Sequence, residues 1–151
     1  MSWWWDSYID LHNLWSEYAG LSRFAASMNF NVQHLAFKTL TAGYRDTSPE
    51  EQVQCMVRCI YAGEHCALWL KNDGYQWWLV NEGTPPKTIT PFSQAVPDLA
   101  PGRYSVTWYD PQSGQFLGKT SEAVVKEDGV LSLSVPSFTK DLACLVVRNR
   151  R

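Results

Sequence analysis

The sequence predicts a mainly β protein, an antiparallel β-sandwich of seven to eight strands with one N-terminal α-helix. Three observations predict it. From Val53 onward, apolar and polar residues alternate with a period of two in several short runs, the pattern of half-buried strands. Clusters of Gly, Pro, Asn and Asp separate those runs, as turns between sandwich strands do. A single stretch, Leu11 to Met28, instead places apolar residues every three to four positions, the spacing of one helix face.

The 151 residues suffice for one core with an appended element. A formal net charge of −2 argues against nucleic acid as a partner, because nucleic-acid surfaces need a basic stripe. No apolar run reaches membrane-spanning length, and no charged-then-apolar leader pattern opens the chain. The unusual feature is aromatic content, with eight Trp, seven Tyr and six Phe. Such an excess builds either large cores or stacking platforms for flat ligands, sugars among them.

Taken in order, the chain opens on Trp3-Trp4-Trp5 and reaches Asp6. Neighbouring side chains of a strand point to opposite faces, so three consecutive tryptophans suit a strand buried on both sides, as in a parallel sheet. Nothing earlier in the sequence offers a pairing partner. The expectation is that the chain is a piece of something larger, beginning at the last strand of another domain. Leu14, Tyr18, Leu21, Ala25 and Met28 then mark the helix, with Asp10 as N-cap and Asn29 as C-terminal stop. Gly20 weakens its middle by about 1 kcal/mol relative to alanine, so the helix needs something to pack on.

Phe30 to Leu40 reads as an extended connector or short strand, and Thr41 to Gln52 as a loop or domain boundary. Val53, Cys55, Val57, Cys59 and Tyr61 share one strand face. In Cys66–Glu82, Asp73-Gly74 reads as a two-residue hairpin turn, which would pair Leu70 with Trp77, Leu68 with Leu79, and Trp69 with Trp78. Lys87–Phe92 reads as a short edge strand, limited by Pro91, and Val96–Gly102 as a loop. Arg103–Asp110 is a strand with Tyr104, Val106 and Trp108 inward, closed by a turn at Asp110–Gly114. Phe116–Gly118, Glu122–Lys126, Val130–Val135 and Leu142–Arg148 complete the meander.

Ser2–Asp10 with the following helix resembles the last β/α unit of a glycoside hydrolase TIM barrel. The likeness is to cellulase-like, family-five-related enzymes that carry a C-terminal β-sandwich. Arg103–Gln115, with its Tyr-Asp-Pro-Gln-Ser-Gly turn, and Gly129–Arg148, with its Pro-Ser-Phe-Thr-Lys-Asp-Leu-Ala entry into the final strand, resemble that appended sandwich. The resemblance implies two regions: residues 1–40 as the barrel's end (strand, helix, connector) and 41–151 as the sandwich. It also implies that one of Trp3, Trp4 or Trp5 lined the sugar subsite beside the cleaved bond. The two catalytic glutamates of such an enzyme sit at the ends of the fourth and seventh barrel strands, outside this chain. Glycoside hydrolysis needs two carboxyls at a defined separation, so the chain is expected to be non-catalytic, with the parent's catalytic barrel as its partner.

The candidate carbohydrate-binding residues are Trp3, Trp4, Trp5, Trp69, Trp78 and Tyr75. Trp69 and Trp78 on an exposed hairpin face would offer flat apolar surface to a pyranose of a polysaccharide. The competing reading is that they pack against the N-terminal helix or a barrel, and burial of large aromatics is the stronger habit. His12, His34 and His65 lack ligand spacing, and no Cys pair has CxxC spacing, so neither metal nor cofactor is expected. Cys55, Cys59, Cys66 and Cys144 read as small buried apolar residues, though a bridge involving Cys66 leaves the redox compartment open.

Overall fold

The computed structural model describes residues 9–29, 34–45, 54–62, 64–76, 78 and 81–149. The tryptophan triplet Trp3–Trp5, and with it the expected barrel strand, lies outside them. A short 3-10 helix (Leu14–Tyr18) runs directly into α1 (Ala19–Met28). Eight strands follow: β1 (Leu35–Leu40), β2 (Cys55–Ala62), β3 (His65–Asn72), β4 (Phe92–Val96), β5 (Gly102–Asp110), β6 (Gln115–Val125), β7 (Leu131–Val135) and β8 (Asp141–Arg148). They form a six-stranded sheet in the order β1-β2-β3-β8-β5-β6 and a two-stranded sheet β4-β7. Every ladder is antiparallel. The predicted sandwich with one helix is the observed architecture.

The alternation in the sequence decides which face is buried. On β2, Cys55, Val57, Cys59 and Tyr61 point inward while Met56, Arg58 and Ile60 point out. Leu68 and Leu70 of β3, Leu142 and Val146 of β8, and Tyr104 and Val106 of β5 continue that inner face. The β4-β7 pair covers it through Val96, Leu131, Leu133 and Val135. All four cysteines are free, buried and part of this core, as small apolar residues should be. Cys59 and Cys66 lie diagonally across the β2/β3 ladder, since Cys59 faces Leu68 and Tyr61 faces Cys66. A hydrogen bond between the two thiols lowers the Cys59 pKa and raises that of Cys66.

Helix α1 lies on the opposite, outer face. Two alanines there, Ala67 on β3 and Ala143 on β8, leave a dent in which Phe24 sits, 3% exposed. Its ring centroid is 5.2 Å from that of Tyr109 and 6.0 Å from that of Trp69. The Tyr109 hydroxyl donates a buried 2.8 Å hydrogen bond to the Gly20 carbonyl. A Cβ on Gly20 would stand 1.8 Å from the Pro111 carbonyl oxygen, so the helix can approach the β5/β6 turn only with glycine there. The helix ends at Asn29 with φ 43°, the left-handed stop expected.

Three expectations are corrected. Asp10 does not cap the helix: its carboxylate accepts the Trp15 indole N–H at 2.6 Å, and Asn13 occupies the position before the first turn. The hairpin centred on Asp73-Gly74 does not form. A strand has two edges, and those of β3 are taken by β2 and β8, so Leu70 faces Val57 and Leu142, and Trp69 faces Arg58 and Ala143. Tyr75 and Gln76 are irregular and Trp78 is helical, while residues 77, 79 and 80 lie outside the described set. Finally, the strand expected at Lys87–Phe92 makes a single bridge, Ile89 with Phe138. The continuous strand begins only after Pro91, at Phe92. Residues 35–40, read as connector or short strand, are β1 and pair with β2 along their whole length.

Candidate functional site

The outer face of the six-stranded sheet carries two depressions beside α1, and Trp69 and Leu21 contribute to both. The first is an apolar groove of about 400 Å³. Phe24, Leu21 and Met28 of the helix form one wall, Phe37 on edge strand β1 the other, and Ile60 and Ala67 part of the floor. The ladder aligns these residues, because Phe37 faces Ile60 and Ile60 faces Ala67. Phe37 is 71% exposed and Leu21 50%, so the groove offers water a broad apolar surface. Arg58 and Lys38 stand at its border.

The second depression is a cleft of about 550 Å³, bounded by Ser16, Tyr18 and Leu21 of the helical segment, Trp69 of β3, Tyr75 after β3, Pro111 and Gln112 of the β5/β6 turn, and Lys140 and Asp141 entering β8. Three of these are aromatic, and four others, Ser16, Gln112, Lys140 and Asp141, carry polar heads. Their positions are set by backbone anchors. Asn72, fully buried at the end of β3, donates from its amide to the carbonyls of Lys87 (2.7 Å) and Thr139 (2.6 Å). Its carbonyl oxygen accepts the Gly74 N–H at 2.9 Å. One side chain therefore fixes the turn leading to Tyr75 and the segment leading to Lys140. On the far wall, the Asp110 carboxylate accepts the Gln112 backbone N–H at 2.9 Å.

Asp141 is the polar centre of the cleft. It faces Lys71 across the β3/β8 ladder. Burial raises its carboxyl pKa above the usual range, against the opposing pull of Lys71, a hydrogen bond from Trp69, and Lys140. Its Oδ1 is buried and accepts no hydrogen bond from the described residues. Lys140 Nζ stands 4.8 Å from the Tyr75 ring centroid, a cation–π distance that orients both side chains.

Of the residues singled out from the sequence, Trp69 and Tyr75 come together in this cleft. Trp78 is 46% exposed and is not among the cleft's lining residues. Trp69 packs edge-on against Phe24 of the helix, the arrangement weighed against a free platform. Tyr18, Gln112, Lys140, Asp141 and the anchoring Asn72 were not singled out. They come from four separate segments, and only the parity of Asp141 with Ala143 hinted that it shares Trp69's face. Among the described residues no group of three or more His, Cys, Asp or Glu is placed to hold a metal. His65 Nδ1 accepts the Arg148 backbone N–H at 3.2 Å. No described helix is long and apolar enough to cross a membrane.

No family model matches the chain, and no curated protein matches it. Among solved structures it is similar to a GH30 endoxylanase from Clostridium papyrosolvens C71, at 12% sequence identity and a TM-score of 0.43. That likeness covers 85% of this chain and 26% of the enzyme, so the chain spans about a quarter of the enzyme's length.

Proposed function

We propose that this chain is a non-catalytic β-sandwich domain of a glycoside hydrolase-like protein, and that the outer face of its six-stranded sheet seats the catalytic barrel. The observation that carries the reading is the docking of α1. The helix that resembles the last helix of a barrel is built into the sheet through Phe24, the Tyr109–Gly20 hydrogen bond and the Gly20–Pro111 approach. A barrel ending in this helix would be joined rigidly to the sandwich. The apolar groove beside the helix, with Leu21, Phe37 and Ile60, is where a neighbouring barrel helix would lie, since exposed contiguous apolar surface marks interaction sites.

The test is complementation. A family-five-related glycosidase barrel truncated before its eighth strand is co-expressed with this chain. Co-purification and a raised melting temperature of the barrel are expected, and Phe37→Asp should weaken both. Failure to associate refutes the seating, and hydrolysis of any aryl glycoside by the purified chain alone refutes the non-catalytic assignment.

A further inference from the structure

We infer that Cys59 and Cys66 form a peroxide-sensitive dithiol, which closes to a cross-strand disulfide, reopens with thiol, and in closing loosens the β1 edge of the sandwich. Placement comes first. Both side chains point into the core from adjacent strands, and they are diagonal neighbours, because Cys59 faces Leu68 and Cys66 faces Tyr61. Their thiols are hydrogen-bonded to each other. The other two cysteines are turned elsewhere: Cys55 Sγ lies 3.9 Å from the Met56 carbonyl oxygen, and Cys144 Sγ 3.9 Å from that of Leu145. One pair is therefore set apart among four free cysteines.

Position also separates the roles of the two. Cys59 lies one strand in from the edge of the sheet, opposite Lys38 of β1. Most of β1 is exposed, and segments with few buried contacts open at low cost. The Lys38 ammonium stands 5.4 Å from the ring centroid of Tyr61, on the inner face. The hydrogen bond from Cys66 holds the Cys59 thiol below its usual range against the opposing effect of burial, and Lys38 pulls the same way as that bond. The thiolate is the nucleophile, so Cys59 attacks and Cys66 resolves. The Cys59 thiolate takes one peroxide oxygen, the O–O bond breaks, and the departing hydroxide leaves as water with the proton Cys59 gave up. The Cys66 sulfur then attacks the sulfenic sulfur, the S–O bond breaks, and a second water leaves with the Cys66 proton. The peroxide gains the two electrons that the thiols lose.

The ladder makes this bond a switch. Diagonal neighbours on an antiparallel ladder stand about 7–8 Å apart, beyond the roughly 4.4–6.8 Å that a disulfide spans between Cα atoms. Closing the bond must draw β2 toward β3 at Cys59, and a strained disulfide is readily reduced. Lys38 is the ladder partner of Cys59 on the other side, so the pull works against the hydrogen bonds between β1 and β2. The inference does not depend on the seating of a barrel: the thiols belong to the inner core, and the seating concerns the outer face.

The experiment treats the reduced chain with hydrogen peroxide, blocks the remaining thiols with N-ethylmaleimide in urea, and maps the products by peptide mass spectrometry. A Cys59–Cys66 bridge is expected, with maleimide on Cys55 and Cys144 only, and glutathione should restore all four adducts. In Cys66→Ala, Cys59 should stop at the sulfenic acid, which dimedone traps once urea opens the core. Hydrogen exchange at Phe37 and Lys38 should be severalfold faster in the bridged chain than in the reduced one. Four free thiols after peroxide, a bridge to Cys55 or Cys144, a bridge that forms only in urea, or unchanged exchange along β1 overturns the assignment. Failure of barrel association leaves these readings unaffected, so the two proposals fail separately.

Discussion

Gly20→Ala is the substitution that most directly tests how the helix is held. On a free helix it would stabilise, because alanine exceeds glycine in helix propensity by about 1 kcal/mol. Here the new methyl would stand 1.8 Å from the Pro111 carbonyl oxygen, a separation that real Cβ atoms do not adopt. Helix and turn must part by more than an ångström. That movement stretches the 2.8 Å Tyr109–Gly20 bond past its useful length and lifts Phe24 from its dent between Ala67 and Ala143. Overpacking of this kind costs about 1–3 kcal/mol, and a buried hydrogen bond left open costs about 1–3 kcal/mol more. Against the propensity gain, the net loss should be about 3 kcal/mol.

Urea unfolding followed by tryptophan emission measures it. With a slope of about 1–3 kcal/mol/M for a chain of this size, the midpoint should fall by about 1–3 M. Tyr109→Phe supplies the control. If both changes act through the same bond, the double variant loses less than the two single losses together. A Gly20→Ala chain as stable as the parent, or more so, would refute the docking of α1 on the sheet and with it the rigid coupling proposed for a barrel.

Other consequences are measured in the same way. Asn72→Ala leaves two backbone carbonyls and one N–H without their partner, and should lower stability by about 2–4 kcal/mol in urea unfolding. Asp141→Asn should raise the unfolding midpoint at pH 7. The folded pKa of Asp141 lies above 3.8, chiefly through burial, so its favourable contribution is complete below pH 3.8 and is lost as pH rises through the folded value. The advantage of asparagine should therefore vanish in urea melts below pH 3.8. The groups facing that carboxyl are Lys71, Lys140 and Trp69, with Tyr18 and Tyr75 in the same cleft. Finally, burial pushes the Cys55 thiol up to about 12 and the Cys144 thiol up as well. A maleimide should leave both intact in the native chain, and mass spectrometry should find four adducts once urea opens the core.

The sandwich was legible because its inner face is written in alternation. Cys55 to Tyr61, Tyr104 to Trp108 and Leu131 to Val135 each put every second residue into one core, and the structure does the same. The failures have local causes. Asp73-Gly74 carries a hairpin signal, but the preceding Asn72 uses its side chain to capture the Gly74 N–H. The strand that would have been the hairpin's second arm is replaced by β8, far along the sequence at Asp141–Arg148. No local pattern reports such a partner. Strand β4 was hidden because a buried Gln94 breaks its alternation. That glutamine earns its place through its amide, which donates to the Thr41 and Ala95 carbonyls and accepts the Gly43 N–H. Strand β6 was read as two pieces because its ladder with β5 is interrupted between Val106 and Trp108, near Gly118 at φ 62°.

The same long-range assembly explains why a site was visible only in outline. Six strands at about 4.8 Å spacing span roughly 24 Å. A ten-residue helix is about 15 Å long and, with side chains, about 10–12 Å thick. Whichever way it lies, α1 cannot cover the outer face, and the place where it lands decides what stays open. The landing point is set by Ala67 and Ala143, the two small residues beneath Phe24, and by Gly20, the one helical position that admits the Pro111 carbonyl. Shift any of these and the helix moves over β1 and β2, closing the apolar groove, or over Asp141, closing the cleft. Trp69 is the fixed point between the two, half-buried because it serves as a wall to both. Its aromatic character was evident from the sequence. Its role depends on three residues of no chemical distinction, whose only property is to be small.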